Sequence, residues 1–110
     1  MDDRREHARH AVWFPIAVRS ADGEGLAISY DLSTGGLLMA CPGRVEPGAV
    51  VTVTFRMRAE APERTAQGRV VRIEQNQPEG AWRWRIAVEF DAPMSDLESL
   101  IASSTAAAGG

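Results

Sequence analysis

Apolar and polar residues alternate along most of this chain with a period of two, which is the pattern of β-strands that bury one face. The alternation is clearest in residues 51–57 and 84–90, where every second side chain is apolar or aromatic. Other stretches that fit strands are separated by turn-forming residues, and they cover residues 12–18, 26–33, 37–41 and 67–75. Six short strands in 110 residues predict an all-β fold, a small antiparallel barrel or sandwich.

The second predicted strand, residues 26–33, has one apolar and one polar side. Alternation places Leu26, Ile28, Tyr30 and Leu32 on the same face. Asp31 and Ser33 belong to the opposite face of the strand. We therefore expect the Asp31 carboxylate and the Ser33 hydroxyl to project together from the surface of the barrel.

The pattern changes near the C-terminus. Residues 95–98, Ser-Asp-Leu-Glu, have the form of a helix capping box, and Leu100 and Ile101 follow Leu97 at helical spacing. This predicts a short C-terminal α-helix packed on the barrel. Residues 103–110 are mostly small and have nothing to bury, which predicts a disordered tail. The expected organisation is an N-terminal arm (1–11), a barrel with its terminal helix (12–102) and a tail (103–110).

Composition and charge narrow the class of protein. With 45% hydrophobic and 25% charged residues, the chain is typical of one globular domain. The net charge of −3 argues against general nucleic-acid binding, because proteins held on a polyanion usually present a basic surface. No apolar run approaches the roughly 18 residues of a membrane span, and the N-terminus is too charged for a signal peptide, so a cytoplasmic protein is expected. The single cysteine, Cys41, is interpreted as a small apolar strand residue.

The segment from Asp31 to Gly36 combines a carboxylate, a hydroxyl and two glycines. An ionised Asp31 accepts hydrogen bonds from N–H groups such as those of guanine, and the Ser33 hydroxyl can donate or accept. Gly35 and Gly36 can adopt positive φ and allow a ligand to approach the backbone closely. The alternative is a turn in which Asp31 and Ser33 cap their own backbone amides, and these residues alone do not decide between the two.

Arginines are concentrated at the N-terminus, where Arg4, Arg5 and Arg9 fall within the first nine residues. Arg5 and Arg9 share one face if the segment is helical, and both can surround a ligand if it is extended. A guanidinium offers a planar set of donors that matches a phosphate or an edge of guanine, and it can also stack on a base. The alternative is a solvated basic tail. His7 and His10 lack further ligands at suitable spacing, so no metal site is expected.

Taken together and in this order, the two motifs resemble the signature of the PilZ domain family. That signature is Arg-x-x-x-Arg before the first strand and Asp/Asn-x-Ser-x-x-Gly at the end of the second. The chain matches it with Arg5, Arg9, Asp31, Ser33 and Gly36. The similarity covers about residues 4–101 and includes residues 35–38, 68–72 and 87–90, although residue 87 is Ala where family members often have Gly.

The resemblance implies a small six-stranded antiparallel PilZ-type β-barrel whose N-terminal arm folds over cyclic di-GMP, a bacterial second messenger. It implies a binding site made by Arg4, Arg5, Arg9, Asp31, Ser33, Gly35 and Gly36. Family members with an arginine at the position of Arg4 tend to bind a stacked ligand dimer, so two cyclic di-GMP molecules per chain are expected, with no other cofactor. We expect the arm to become ordered on binding and to change the surface offered to a downstream protein, for example one serving motility, exopolysaccharide production or transcription.

Other functions fit the sequence less well. An enzyme is not expected, because there is no nucleophile–base pair and no phosphate-binding loop. A barrel for single-stranded nucleic acid needs a basic groove with exposed aromatic residues, for which only Trp13, Tyr30 and Trp82 are candidates. The closer rival is a PilZ-like module that binds proteins and no nucleotide, although such members typically lack residues that this chain keeps. Trp84 is expected in the core, whereas the sequence does not fix the directions of Trp82 and Arg72.

Overall fold

The computed structural model describes residues 13–56 and 60–94 of the chain. Its strands are β1 (Pro15–Ser20), β2 (Gly23–Ser33), β3 (Gly36–Cys41), β4 (Val50–Phe55), β5 (Arg64–Gln75) and β6 (Trp84–Phe90). Neighbouring strands are all antiparallel and close into a barrel in the order β1-β2-β3-β6-β5-β4, with β4 paired to β1. The predicted six-stranded antiparallel barrel is confirmed.

The expected N-terminal arm, C-terminal helix and tail lie outside the described residues. Within residues 13–56 and 60–94, no helix has the length and apolar character that crossing a membrane requires.

The barrel encloses one hydrophobic core, which the alternating strands fill from every side. Side chains that face it include Ile16, Val51, Val53, Ile86, Val88 and Phe90, as alternation predicted for β1, β4 and β6. The rings of Phe14 and Phe55 stack in the core, with centroids 4.9 Å apart and planes 17° from parallel. Cys41 is buried at the end of β3 and belongs to the core, and Trp84 packs against it, so both predictions are confirmed.

A β-bulge divides β2 into two halves that present opposite sets of residues to the core. Ser29 pairs with Met39 and Asp31 pairs with Leu38, so Tyr30 is an extra residue without a partner on β3. A bulge of this kind shifts the alternation by one position. The core side of β2 is therefore Ala27 and Ser29 before the bulge and Leu32 after it.

Because of this bulge, the prediction of a single apolar face along β2 is wrong. Leu26 is 63% exposed and Tyr30 is 37% exposed, so they lie on the outer face, whereas Leu32 is completely buried. The buried Ser29 is satisfied through the backbone of Phe14, whose N–H donates to the Ser29 hydroxyl at 2.9 Å. The Phe14 carbonyl accepts from the Ser29 N–H at 3.0 Å. A small hydroxyl thus occupies a core position without an unpaired polar group.

Candidate ligand-binding site

The outer face of β2, β3, β6 and β5 carries a row of side chains that begins at Asp31. Strand pairing continues this row through Leu38 on β3 and Ala87 on β6 to Arg72 on β5. Because the adjacent row, which contains Leu32, faces the core, alternation turns the Asp31 row outward. Three strand spacings put the backbones of Asp31 and Arg72 about 14 Å apart across the wall. We call this set of four residues the Asp31 row.

The Asp31 row has a charged residue at each end and two apolar residues between them. Asp31 and Leu38 are half-buried, and Ala87 is 9% exposed. Arg72 is exposed, and its Nε donates to Glu74 at 3.1 Å. The direction of Arg72 depends on a second bulge, in which Val71 is the extra residue of β5. That bulge places Arg72 outward, on the same face as Asp31.

Ser33 does not project from the barrel as expected. The residue is only 4% exposed. Its Oγ donates to the Gly36 carbonyl at 3.3 Å and accepts from the Gly35 N–H at 3.3 Å. The serine therefore caps the backbone of its own turn, which is the alternative that the sequence left open. Strand pairing places Ser33 on the same face of β2 as Asp31, as alternation predicted, but its side chain is buried, so the two groups do not project together.

Gly36, which follows the turn, serves close packing of the backbone. Among the described residues, only Gly23 and Gly48 have positive φ, so Gly35 and Gly36 do not use the positive φ that glycine permits. A Cβ placed on Gly36 would lie 2.2 Å from the carbonyl oxygen of Val88, which is far inside van der Waals contact. Glycine at position 36 thus allows β3 to approach β6.

The turn between β2 and β3 is also tied to the end of β6. The Gly35 carbonyl accepts from the Phe90 N–H at 2.9 Å, and the Thr34 carbonyl accepts from the Met94 N–H at 2.8 Å. The hydroxyl of Thr34 is buried and has no hydrogen-bond partner within the described part of the chain. These contacts fix the turn in place at the end of β2, the strand that carries Asp31.

A second group of side chains surrounds Tyr30, the bulge residue next to Asp31. The Arg85 guanidinium lies over the Tyr30 ring, with Cζ 5.0 Å from the centroid. Asn76 connects the group, because its Nδ2 donates to the Tyr30 hydroxyl at 3.1 Å and to the Trp82 carbonyl at 2.9 Å. Its Oδ1 accepts from Arg85 Nη2 at 3.0 Å. We call Tyr30, Asn76 and Arg85 the Tyr30 cluster.

The Tyr30 cluster could not be predicted from the pattern of residues along the sequence. Alternation on β6 does place Arg85 on the polar face of the strand, which is also the face of Ala87. However, the contact with Tyr30 crosses β3 and depends on the bulge, and Asn76 comes from the connection between β5 and β6. Trp82, whose direction was open, is half-buried and contributes its backbone carbonyl to the cluster.

Comparison with known proteins identifies the family of this chain. A family model described as PilZ domain matches residues 3–106. The chain belongs to the PilZ domain family. No curated protein matches this PilZ domain in sequence.

Solved structures share the fold of this PilZ domain at low sequence identity. The inhibitor of motility MotI/DgrA from Bacillus subtilis superposes with a TM-score of 0.73 at 17% identity over 93% of this chain. The chain spans only 50% of that protein. The PilZ domain of YcgR from Escherichia coli, solved with cyclic di-GMP, gives 0.63 at 18% identity, covering 81% of this chain and 79% of that one. The PilZ domain of CeSA from a cellulose-synthesising bacterium gives 0.56 at 21% identity, covering 76% and 79%.

The structure locates the second motif of this PilZ domain but not the first. Asp31 lies outward on β2, Ser33 and Gly36 shape the following turn, and Gly35 is fixed by its carbonyl contact to β6. The N-terminal arm, with its expected ligand contacts Arg4, Arg5 and Arg9, lies outside the described residues.

Proposed function

We propose that this PilZ domain is a receptor for cyclic di-GMP, which binds on the outer face at the Asp31 row. The observation that carries the proposal is the outward position of Asp31 beside the apolar residues Leu38 and Ala87. A guanine base is flat and offers two kinds of N–H group along one edge. An apolar floor accommodates the face of such a base while a carboxylate accepts from its edge.

Two arginines on this face offer guanidinium donors to an anionic dinucleotide, each beside a carboxylate. Arg72 lies at the far end of the Asp31 row and pairs with Glu74. Arg69 is exposed in the next outward row of β5, where its partner on β6 is Glu89. We infer that Arg5 and Arg9 add further guanidinium groups from the N-terminal segment, each able to bind a phosphate or a guanine. Arg4 is proposed to contribute to a second ligand molecule. The YcgR PilZ domain, which was solved with cyclic di-GMP, has the same fold and gives this ligand further support.

Ser33, Gly35 and Gly36 are proposed to act on the ligand mainly through the turn that they build. Ser33 holds the turn by its hydroxyl, and Gly36 lets that turn lie against β6. The turn closes the end of β2 two residues after Asp31, so it supports the strand segment that carries the carboxylate. Ligand binding is then proposed to change the surface that this domain presents to a downstream protein.

Isothermal titration calorimetry tests the receptor function. Cyclic di-GMP is titrated into the wild-type chain, into Arg5→Ala and into Arg19→Ala, with GTP and cyclic di-AMP as ligand controls. Loss of one charged hydrogen-bonding partner costs about 1.5–3 kcal/mol, so Arg5→Ala should weaken binding roughly ten- to hundredfold. Arg19 is exposed near the β1–β2 turn, away from the Asp31 row, and its replacement should leave the affinity unchanged. Equal weakening by both variants would contradict a specific role of Arg5.

A second candidate function is a protein-interaction module that does not use a nucleotide. The observation in its favour is that Ser33 and Gly36 each have a role within the fold that needs no ligand. The likeness to MotI/DgrA, described as an inhibitor of motility, is compatible with this candidate. Calorimetry discriminates the two functions, because a folded wild-type sample that gives no heat with millimolar cyclic di-GMP would favour the interaction module.

A further inference from the structure

Tyr30 presents an aromatic ring on the outer face directly beside the carboxylate of the proposed site. As the extra residue of the bulge, it precedes Asp31 and has no partner on β3. The residue is 37% exposed although the Arg85 guanidinium lies over its ring, with Cζ 5.0 Å from the centroid. Bulges redirect side chains and are common beside functional sites. The exposed ring is therefore held in a defined orientation.

The neighbours of Tyr30 hold the ring at one face and at its hydroxyl. Asn76 uses all of its amide in this cluster: its Nδ2 donates to Tyr30 and to the Trp82 carbonyl, and its Oδ1 accepts from Arg85. Arg85 Nε is buried and has no hydrogen-bond partner among the described residues. Burial of an unpaired N–H lowers stability, and such local costs are typical of functional surfaces.

We propose that the Tyr30 ring is a stacking surface for a guanine of cyclic di-GMP, a role that rests on the proposed receptor function. A base lying on the exposed part of the ring can direct its N–H edge toward Asp31, the next residue. Stacking on aromatic side chains is a general way to bind nucleobases, and a ring that is already ordered loses little conformational entropy on binding. Arg85 and Asn76 are then positioning residues, which hold the ring in the orientation that the base requires.

The sequence makes a direct spectroscopic test possible, because Tyr30 is its only tyrosine. Incorporation of 3-fluorotyrosine gives a single ¹⁹F resonance from this ring. We expect the resonance to shift during titration with cyclic di-GMP and to saturate with the dissociation constant measured by calorimetry. A resonance that stays in place while calorimetry records saturable binding would overturn the inference. That measurement needs no variant, so it is independent of any folding defect.

Substitutions provide a second test that separates the ring from its hydroxyl. Tyr30→Leu removes the ring and should weaken cyclic di-GMP binding by at least about fivefold. Tyr30→Phe keeps the ring and should retain most of the affinity. Leu26→Ala is a matched control, because Leu26 is an exposed apolar residue on the same strand and face, near the β1–β2 turn. Its affinity should equal that of the wild type, and urea unfolding checks the fold of every variant.

The outcomes separate this inference from the receptor function. If the wild-type chain does not bind cyclic di-GMP, the proposed function is refuted and the role of Tyr30 with it. If the wild type binds and Tyr30→Leu binds as tightly, only the stacking role is refuted. Equal weakening by Tyr30→Phe and Tyr30→Leu would assign the effect to the hydroxyl and would also overturn stacking.

Discussion

The carbonyl oxygen of Val88 occupies the space into which a side chain at Gly36 would extend, with 2.2 Å between that oxygen and a Cβ built on the glycine. Since the oxygen belongs to the backbone of β6, it cannot move away as a flexible side chain would. We expect Gly36→Ala to force β3 and β6 apart and to lower the free energy of unfolding by about 1–3 kcal/mol. Urea unfolding followed by tryptophan fluorescence measures this change.

Gly25→Ala is the matched control for Gly36→Ala. Gly25 also lies in a strand, has no positive φ, and has no atom within 4 Å of a built Cβ. Alanine there should be neutral or slightly stabilising, because it restricts the unfolded chain without meeting an obstacle in the folded one. If the two variants unfold at the same urea concentration, the steric role of Gly36 is wrong.

Ser33→Ala and Asp31→Asn should affect different properties of the protein. Ser33→Ala removes the hydroxyl that caps the turn, and we expect it to lower the free energy of unfolding by about 1 kcal/mol. Asp31→Asn keeps the shape of an outward, half-buried side chain but removes the charge, so it should weaken cyclic di-GMP binding more than it changes stability. Parallel calorimetry and urea unfolding test this separation. A large loss of stability in Asp31→Asn with unchanged affinity would contradict it.

The sequence predicted the barrel well because the alternation of apolar and polar residues is a local pattern within each strand. Alternation in β4 and β6 follows directly from the contact of every second residue with one core. The bulge at Tyr30 could not be predicted in this way, because the residue types around it continue the alternation. At Val71 two consecutive valines interrupt the alternation, but they do not show which residue is the extra one. The bulges nevertheless decide that Asp31 and Arg72 share the outer face.

The roles of the glycine and serine in the second motif also depend on distant residues. Gly36 is required by the backbone at Val88, which is far along the chain, so the sequence near position 36 gives no sign of the contact. Ser33 can either face a ligand or cap its own turn, and only the surrounding packing selects the second state. The placement of Arg4, Arg5 and Arg9 relative to the Asp31 row stays a prediction.

The stoichiometry of binding tests the role proposed for Arg4. We expect calorimetry to give two cyclic di-GMP molecules per wild-type chain. Arg4→Ala should reduce this value toward one, because it removes a cation that compensates the additional phosphates of a stacked pair. Arg19→Ala serves again as the control for loss of one positive charge. A wild-type stoichiometry near one would refute the proposed second molecule.

Cyclic di-GMP should also slow amide hydrogen exchange in residues 1–11. Guanidinium contacts from Arg5 and Arg9 to the ligand would hold this segment against the barrel, and exchange slows where the backbone is held. Exchange measured by mass spectrometry with and without saturating ligand tests the effect, and Arg5→Ala should reduce it. Unchanged exchange in residues 1–11 at saturation would contradict the proposed closure of this segment.

Cys41 should make the stability of the barrel fall at alkaline pH. Burial raises the pKa of this thiol from 9.0 to about 12, so between these values the unfolded chain loses a proton that the folded chain keeps. Stability is therefore complete below about pH 9 and declines above it, with a loss of about 1.4 kcal/mol by pH 10. The sequence contains no lysine, and Cys41→Ala retains every other titratable group, so the difference between the two chains isolates the thiol. Urea unfolding at pH 7 and pH 10 should show the smaller alkaline loss in Cys41→Ala, and equal losses would mean that the thiol is not shielded by the core.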